Sequence, residues 1–325
     1  MNKFFLVGVV LAVIISSVVG YETLALQHPM PLSEHFPSPI DSYVLFPTGN
    51  DHFSVIGSYL SDSEYAMSEI YGNFSTLMVS PFMWNVKSSL GNVNMTYYHF
   101  LRVTANLSMV KKITPSISVL GYPGLMYGSE PWFPFATSTQ QVPKLELPRL
   151  VGQLPDFYSV LNYSLFNKTG EIVDFSYDIW LTPEPNVTYL GAGDLEIMFW
   201  MWYTQNLSHV RYYAYEGTLD IPTFLNGTLE NYPWSVYVLN YSADGWTLMV
   251  FTSSRQLQGS VGIPIGWVLK ESTQFLYNQG WRASLSAYYL DAIQVGMEFN
   301  NAPNGSVDVG YNLYQWYLNF NSTEL

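Results

Sequence analysis

Between about residue 52 and the C-terminal region, short runs of Val, Ile, Tyr, Phe, Trp and Thr alternate with Gly, Asn, Pro and Ser. β-branched and aromatic runs cut by turn residues predict an all-β chain. Residues 74–79, 95–103, 117–122 and 246–252 are the plainest predicted strands. Three further stretches carry two different faces. In 194–202, alternation sets Asp194, Glu196, Met198, Trp200 and Trp202 on one side and Leu195, Ile197, Phe199 and Met201 on the other. In 175–181, Ser176, Asp178 and Trp180 oppose Phe175, Tyr177, Ile179 and Leu181; in 287–299, Gln294, Gly296 and Glu298 oppose Ile293, Val295, Met297 and Phe299. Each stretch thus offers a core an apolar row and turns a carboxylate the other way.

One segment departs from the period of two. Residues 267–278 space Val268, Leu269, Phe275 and Leu276 at helical intervals and stop before Gly280, which predicts one short helix. Residues 145–170 and 203–231 are polar or rich in turn formers and are expected as long loops bordering a cleft. Residues 21–47 carry Pro29, Pro31, Pro37, Pro39 and Pro47 without a sustained period, the pattern of an extended linker or arm. Before it, residues 1–20 join Lys3, an apolar run from Phe4 to Ile15 and small residues up to Gly20. This reads as a secretory signal, or as an N-terminal anchor if left uncut. The expected organisation is signal 1–20, arm 21–47 and a single β domain 48–325, exported to the outside of the cell or held at its surface by the leader.

Composition narrows the chemistry. Charged residues are 11% of the chain against 17% aromatic, and 25 acids face 12 Lys and Arg, a formal charge of −13 at pH 7. Such a balance argues against nucleic acid or an anionic membrane as partner. It also limits positive self-repulsion once carboxylates are protonated, which fits a protein working in acidic surroundings. Asn-x-Ser/Thr sequons recur from Asn73 to Asn321, as expected of an exported glycoprotein. There is no cysteine, so neither a disulfide nor a thiol nucleophile is available. His28, His35, His52, His99 and His209 lie at no metal-ligand spacing, and no metal or other cofactor is expected. Gly191-Ala-Gly193 lacks the third glycine of a dinucleotide loop.

Carboxylates among aromatics remain. Two acids from different strands facing one groove can cleave a glycosidic bond, one protonating the leaving oxygen and the other attacking or activating water. Solvated strand acids would show the same alternation, so the pattern leaves open a non-catalytic carbohydrate-binding or surface-layer sandwich.

The order of four segments resembles family 12 of the glycoside hydrolases. Residues 193–200, Gly-Asp-Leu-Glu-Ile-Met-Phe-Trp, are similar to that family's Glu-Leu-Met-Ile-Trp nucleophile strand. Residues 117–128, Ile-Ser-Val-Leu-Gly-Tyr-Pro-Gly-Leu-Met-Tyr-Gly, resemble its Ser-Tyr-Pro-x-Ile-x-Tyr-Gly stretch, and Tyr177-Asp-Ile-Trp-Leu181 its Tyr-Asp-aliphatic strand. Residues 289–298 resemble its Tyr-Leu-x-x-x-Gln-x-Gly-x-Glu. The resemblance implies a β-jelly-roll sandwich of two antiparallel sheets with a concave cleft, acting as a monomer on a β-glucan polysaccharide. It implies a secreted, retaining endo-β-1,4-glucanase, with a xylanase or xyloglucanase of similar fold as the alternative. By matching position, it implies Glu196 as nucleophile, Glu298 as general acid/base and Asp178 as the group orienting Glu196. Met198, Trp200, Trp202, Trp180, Trp84 and Gln294 fall to substrate binding. Two departures stand out: Phe82-Met-Trp-Asn85 differs from the family's Asn-x-Leu-Trp, and Phe299 and Asn300 stand where a proline commonly follows the acid/base.

Overall fold

The computed structural model describes residues 42–46, 52–58, 68–71, 75–129, 131, 138–240, 245–281 and 283–320. The leader over 1–20 lies outside these residues, as does most of the Pro-rich arm. The arm's end is described and enters the fold: Ser42–Phe46 is strand β1, paired antiparallel with the C-terminal strand β17 (Val307–Asn319).

Hydrogen bonding then runs through two layers. In the first, β2 (Phe53–Gly57), β5 (Val86–Tyr97), β6 (Leu101–Lys112), β17, β9 (Tyr158–Thr169) and β15 (Gly259–Ile263) follow one another. In the second the order is β3 (Ser68–Tyr71), β4 (Thr76–Ser80), β7 (Gly124–Gly128), β16 (Tyr289–Asn300), β10 (Glu171–Thr182), β11 (Leu195–Tyr203), β14 (Thr247–Ser253), β13 (Thr228–Asn240) and β12 (Ala214–Leu225). The short β8 (Arg149–Leu150) adds to the start of β16. Phe224 and Leu225 of β12 pair with β15, so the layers join along one edge into a curved sandwich. All ladders are antiparallel except β11 with β14, which is parallel.

The predicted apolar rows meet between the layers. Leu195, Ile197, Phe199 and Met201 of β11, Phe175, Tyr177, Ile179 and Leu181 of β10, and Ile293, Val295, Met297 and Phe299 of β16 all join the main core with Tyr163, Trp234, Tyr311 and Trp316. Phe199 stacks on Phe251, and Tyr163 on Phe175. Helix α1 (Ile265–Glu271) and the single turn α2 (Thr273–Leu276) occupy the predicted helical segment and bury Val268, Leu269, Phe275 and Leu276. Gly280 closes it at φ 87°, a left-handed cap that glycine reaches without strain.

Several predicted elements differ. The run expected as one strand over 95–103 is two, because residues 98–100 turn between β5 and β6. Residues 117–122 are not a strand: their backbone bonds go to Asn85, Phe299 and Phe82, and the Asn85 amide donates to the Val119 carbonyl at 2.8 Å. The loops expected over 145–170 and 203–231 hold all of β9 and all of β12. β9 is buried over its first half and open over its second, and β12 is half-buried or exposed until its last residues, so neither alternates cleanly, and pairing with β17 and β13 sets their backbone.

Candidate active site

The site lies on the face of β10, β11 and β16 turned away from the core, and the register gives its layout. Trp180 of β10 stands between Glu196 and Ala292, Asp178 between Met198 and Gln294, Ser176 between Trp200 and Gly296, and Asp174 between Tyr203 and Glu298. Four rows of side chains thus cross three strands. Glu196 sits in the first row and Glu298 in the fourth, on the two outer strands. Asp178 is diagonal to Glu196, not opposite it.

Trp202 is misplaced by simple alternation. A register shift in β11 pairs Ser176 with Trp200 but Phe175 with Trp202, so Met201 is the extra residue of a bulge. Trp202 consequently packs against the main core, and Tyr203 takes the place beside Trp200, their rings 6.1 Å apart. Tyr203 is held there by its hydroxyl, which donates to the Ser253 carbonyl at 2.7 Å.

The other expected binding residues fall into place around the rows. Met198 and Trp200 pack with Tyr122, Leu207, Val210, Tyr213 and Tyr237. Trp180 packs edge-on against Trp246 at 5.9 Å, beside Met78, Met126 and Ala292. Gln294 donates to the Met126 thioether at 3.4 Å. Trp84 packs on Ile117, Val119 and Val173, next to Asp174 in the chain. Trp180 and Trp200 are each only 2% exposed, so they form the floor of the site and present little open ring face. The indole Nε1 of Trp200 has no partner among the described residues, and a buried donor is ordinarily satisfied.

Four residues important to the site were not among the sequence candidates. Trp246 donates from Nε1 to Glu196 Oε2 at 2.6 Å. Asp174, fully buried, accepts from the Ser176 hydroxyl at 2.7 Å and faces Glu298 across the β10–β16 ladder. Tyr122 crosses Gly296 to donate to the Ser176 carbonyl at 2.9 Å. Tyr213 is buried, and its hydroxyl senses the charges of Glu298, Glu196 and Asp174 together. The three acids thus all act on one buried hydroxyl although they occupy different rows. Asp174 was within reach of the sequence, since the alternation 176, 178, 180 extends back to it; Trp246 and Tyr213 come from distant segments and leave no local signal.

Electrostatics separate the two glutamates. Burial raises Glu196, but the Trp246 hydrogen bond favours its ionised form and works against that rise. Burial likewise raises Asp174, opposed by the donors it meets. For Glu298 every influence points up: burial, the charge of Asp174 and its hydrogen bond, then the charges of Glu196 and Asp178. The site's proton therefore rests most firmly on Glu298, while Glu196, raised to about 7 by burial and the charge of Asp174 against the Trp246 hydrogen bond, ionises before it.

Two unequal carboxyls set among aromatic side chains on one face of a β-sandwich are the groups that glycoside hydrolysis calls for. The model of glycosyl hydrolase family 12 matches residues 75–321, and the chain belongs to that family. No curated protein sequence matches it. Among solved structures, a family 12 xyloglucanase from Bacillus licheniformis is similar at 16% identity and TM-score 0.58, over 82% of this chain and 99% of that one. Endoglucanase 3 from Trichoderma harzianum is similar at 19% identity and TM-score 0.54, over 85% and 100%. An endoglucanase from Rhodothermus marinus follows at 17% and 0.52, over 75% and 91%. At such identities these likenesses show the fold.

Proposed function

We propose that the protein is an exported endo-β-1,4-glucanase that cleaves internal bonds of a β-glucan with retention of configuration. The observation that carries this reading is that Glu196 and Glu298 share one face of three adjacent strands, with the proton held more firmly on Glu298 than on Glu196. Ionised Glu196 attacks the anomeric carbon as the bond to the leaving oxygen breaks, and the proton of Glu298 passes to that oxygen. In the second half, ionised Glu298 takes a proton from water, the water oxygen bonds to the anomeric carbon, and Glu196 departs. Retention calls for carboxyl groups about 5 to 5.5 Å apart. Asp178, one row from Glu196, restrains it, and the free Nε1 of Trp200 suits a sugar hydroxyl.

Replacing Glu196 with Gln should abolish nearly all turnover of carboxymethylcellulose while binding of the polymer persists; unchanged hydrolysis would remove Glu196 from the mechanism. The anomeric form of the first product, followed by NMR on a soluble β-glucan, should be the β form, and an α product would refute retention. Reducing-sugar release from glucan, xyloglucan and xylan ranks the polymers. A non-catalytic sugar-binding sandwich would hydrolyse none of them.

A further inference from the structure

We propose that Asp174 is a positioning residue for Glu298: its carboxyl, oriented by Ser176 across the β10–β16 ladder, shares one proton with the Glu298 carboxyl and fixes that proton and its carrier in place. This rests on the reading of Glu298 as general acid/base.

Three observations support the pairing. Asp174 and Glu298 are directly opposite in register, with Val173 bulged out of β10 just before Asp174, and opposed side chains stand about 5 Å apart. The Ser176 hydroxyl occupies Asp174 Oδ1 at 2.7 Å, while Oδ2 is buried and has no hydrogen-bond partner among the described residues, although Glu298 stands directly opposite. Two carboxyls hydrogen-bond only when one keeps its proton, so a buried, face-to-face pair of this kind holds a proton between its oxygens. Finally, Asp174 is fully buried whereas Glu298 is 7% exposed, so Glu298 alone can reach a substrate and Asp174 acts through it.

The surroundings reinforce this. The groups facing the pair are Asp178 on β10, Glu196 on β11, Tyr213 ahead of β12 and Tyr122 ahead of β7. Lys112, the nearby cation, is turned to the Ser118 carbonyl at 2.9 Å and Asn300 Oδ1 at 2.8 Å, with Glu171 as the acid acting on it. Burial and the charges of Asp178 and Glu196 disfavour a second charge on the pair. Glu298 donates its proton in the first half of the reaction, and the new carboxylate then stands against Asp174. Repulsion from Asp174 makes Glu298 the stronger base for taking up the proton of the attacking water.

The test is a titration of the resting enzyme, with the side-chain carboxyl carbons of Asp and Glu labelled and followed by 13C NMR. In the unaltered protein, the Asp174 and Glu298 carbons should each titrate in two steps, each reporting the other's midpoint. In Asp174→Asn, the Glu298 carbon should revert to one step with its midpoint lower by about one unit or more, since a neighbouring charge and a hydrogen bond are both removed. Independent single-step curves in the unaltered protein, or an unmoved Glu298 midpoint in a folded Asp174→Asn variant, would overturn the proposal. If that variant does not fold, the two-step curves of the unaltered protein decide alone. Because no turnover is needed, the result is separate from the acid/base assignment. Full activity of Glu298→Gln on the polymer would defeat that assignment and leave the titration standing.

Discussion

At the scale of single residues, Glu196, the proposed nucleophile, depends on an indole far along the chain. The Trp246 N–H favours charge on Glu196, and hydrogen bonds to charged groups contribute about 1.5–3 kcal/mol. Removing the donor must therefore raise the Glu196 pKa. Since the proposed mechanism has Glu196 attack as a carboxylate, the acid limb of kcat/KM in Trp246→Phe should move to higher pH by about one unit or more. A limb that stays in place would show that the bond does not tune Glu196. The sequence could bring forward Glu196, Asp178 and Glu298, because alternation reports which face an acid occupies. It could not bring forward Trp246, whose contact with Glu196 spans 50 positions. The role of Asp174 also escaped, because a partner with five strands between them in the sequence is a matter of register, not of period.

At the scale of elements, backbone crowding fixes how Tyr122 enters the site. A Cβ on Gly296 would lie 2.7 Å from the Pro123 carbonyl oxygen and 3.0 Å from the Tyr122 ring. The residues before β7 can thus lie close over β16 only because position 296 has no side chain. Gly296→Ala should cost about 1–3 kcal/mol of stability, the range for inserting a methyl into a packed site, and should loosen the bond from Tyr122 to Ser176. Chemical denaturation measures the first effect; an unchanged midpoint would mean the backbone gives way freely. The strands that a reader of the sequence finds most easily are those with one wholly apolar face, such as β10, β11 and β16. Those missed, β9 and β12, have their surfaces divided between core and water, so long-range pairing decides their state. Residues 117–122 err the other way: Ile117, Val119 and Leu120 are strand formers, yet they pack irregularly because the Asn85 side chain takes up their carbonyls.

At the scale of the whole molecule, buried acids outnumber ion pairs as determinants of pH behaviour. Among the described residues, the Lys–Asp pairs Lys168–Asp308 and Lys270–Asp156 lie at the surface, and such pairs contribute little. In contrast, burial raises Asp174 to about 6 and Asp291, despite a hydrogen bond from Thr182, to about 7. Folded values above the unfolded ones mean that these groups favour the fold while protonated. Their contribution is complete below pH about 4, the value for an unfolded Asp, and is lost as pH climbs through 6 and 7. Thermal unfolding should therefore occur at a higher temperature near pH 4 than near pH 8. Calorimetry across that range checks it, and a maximum at neutral or alkaline pH would contradict it. With 12 Lys and Arg and 5 His as the whole cationic load, acid brings little repulsion to offset the gain.

The bulge at Met201 bears on any effort to redesign substrate preference. A library that varies every second position of β11 from Glu196 onward would include residue 202 and spend that position on repacking the interior. The set that follows the real geometry is Met198, Trp200 and Tyr203. Rings intended to grip a longer or branched chain belong at 203, with residue 202 left as the wedge that keeps the strand seated.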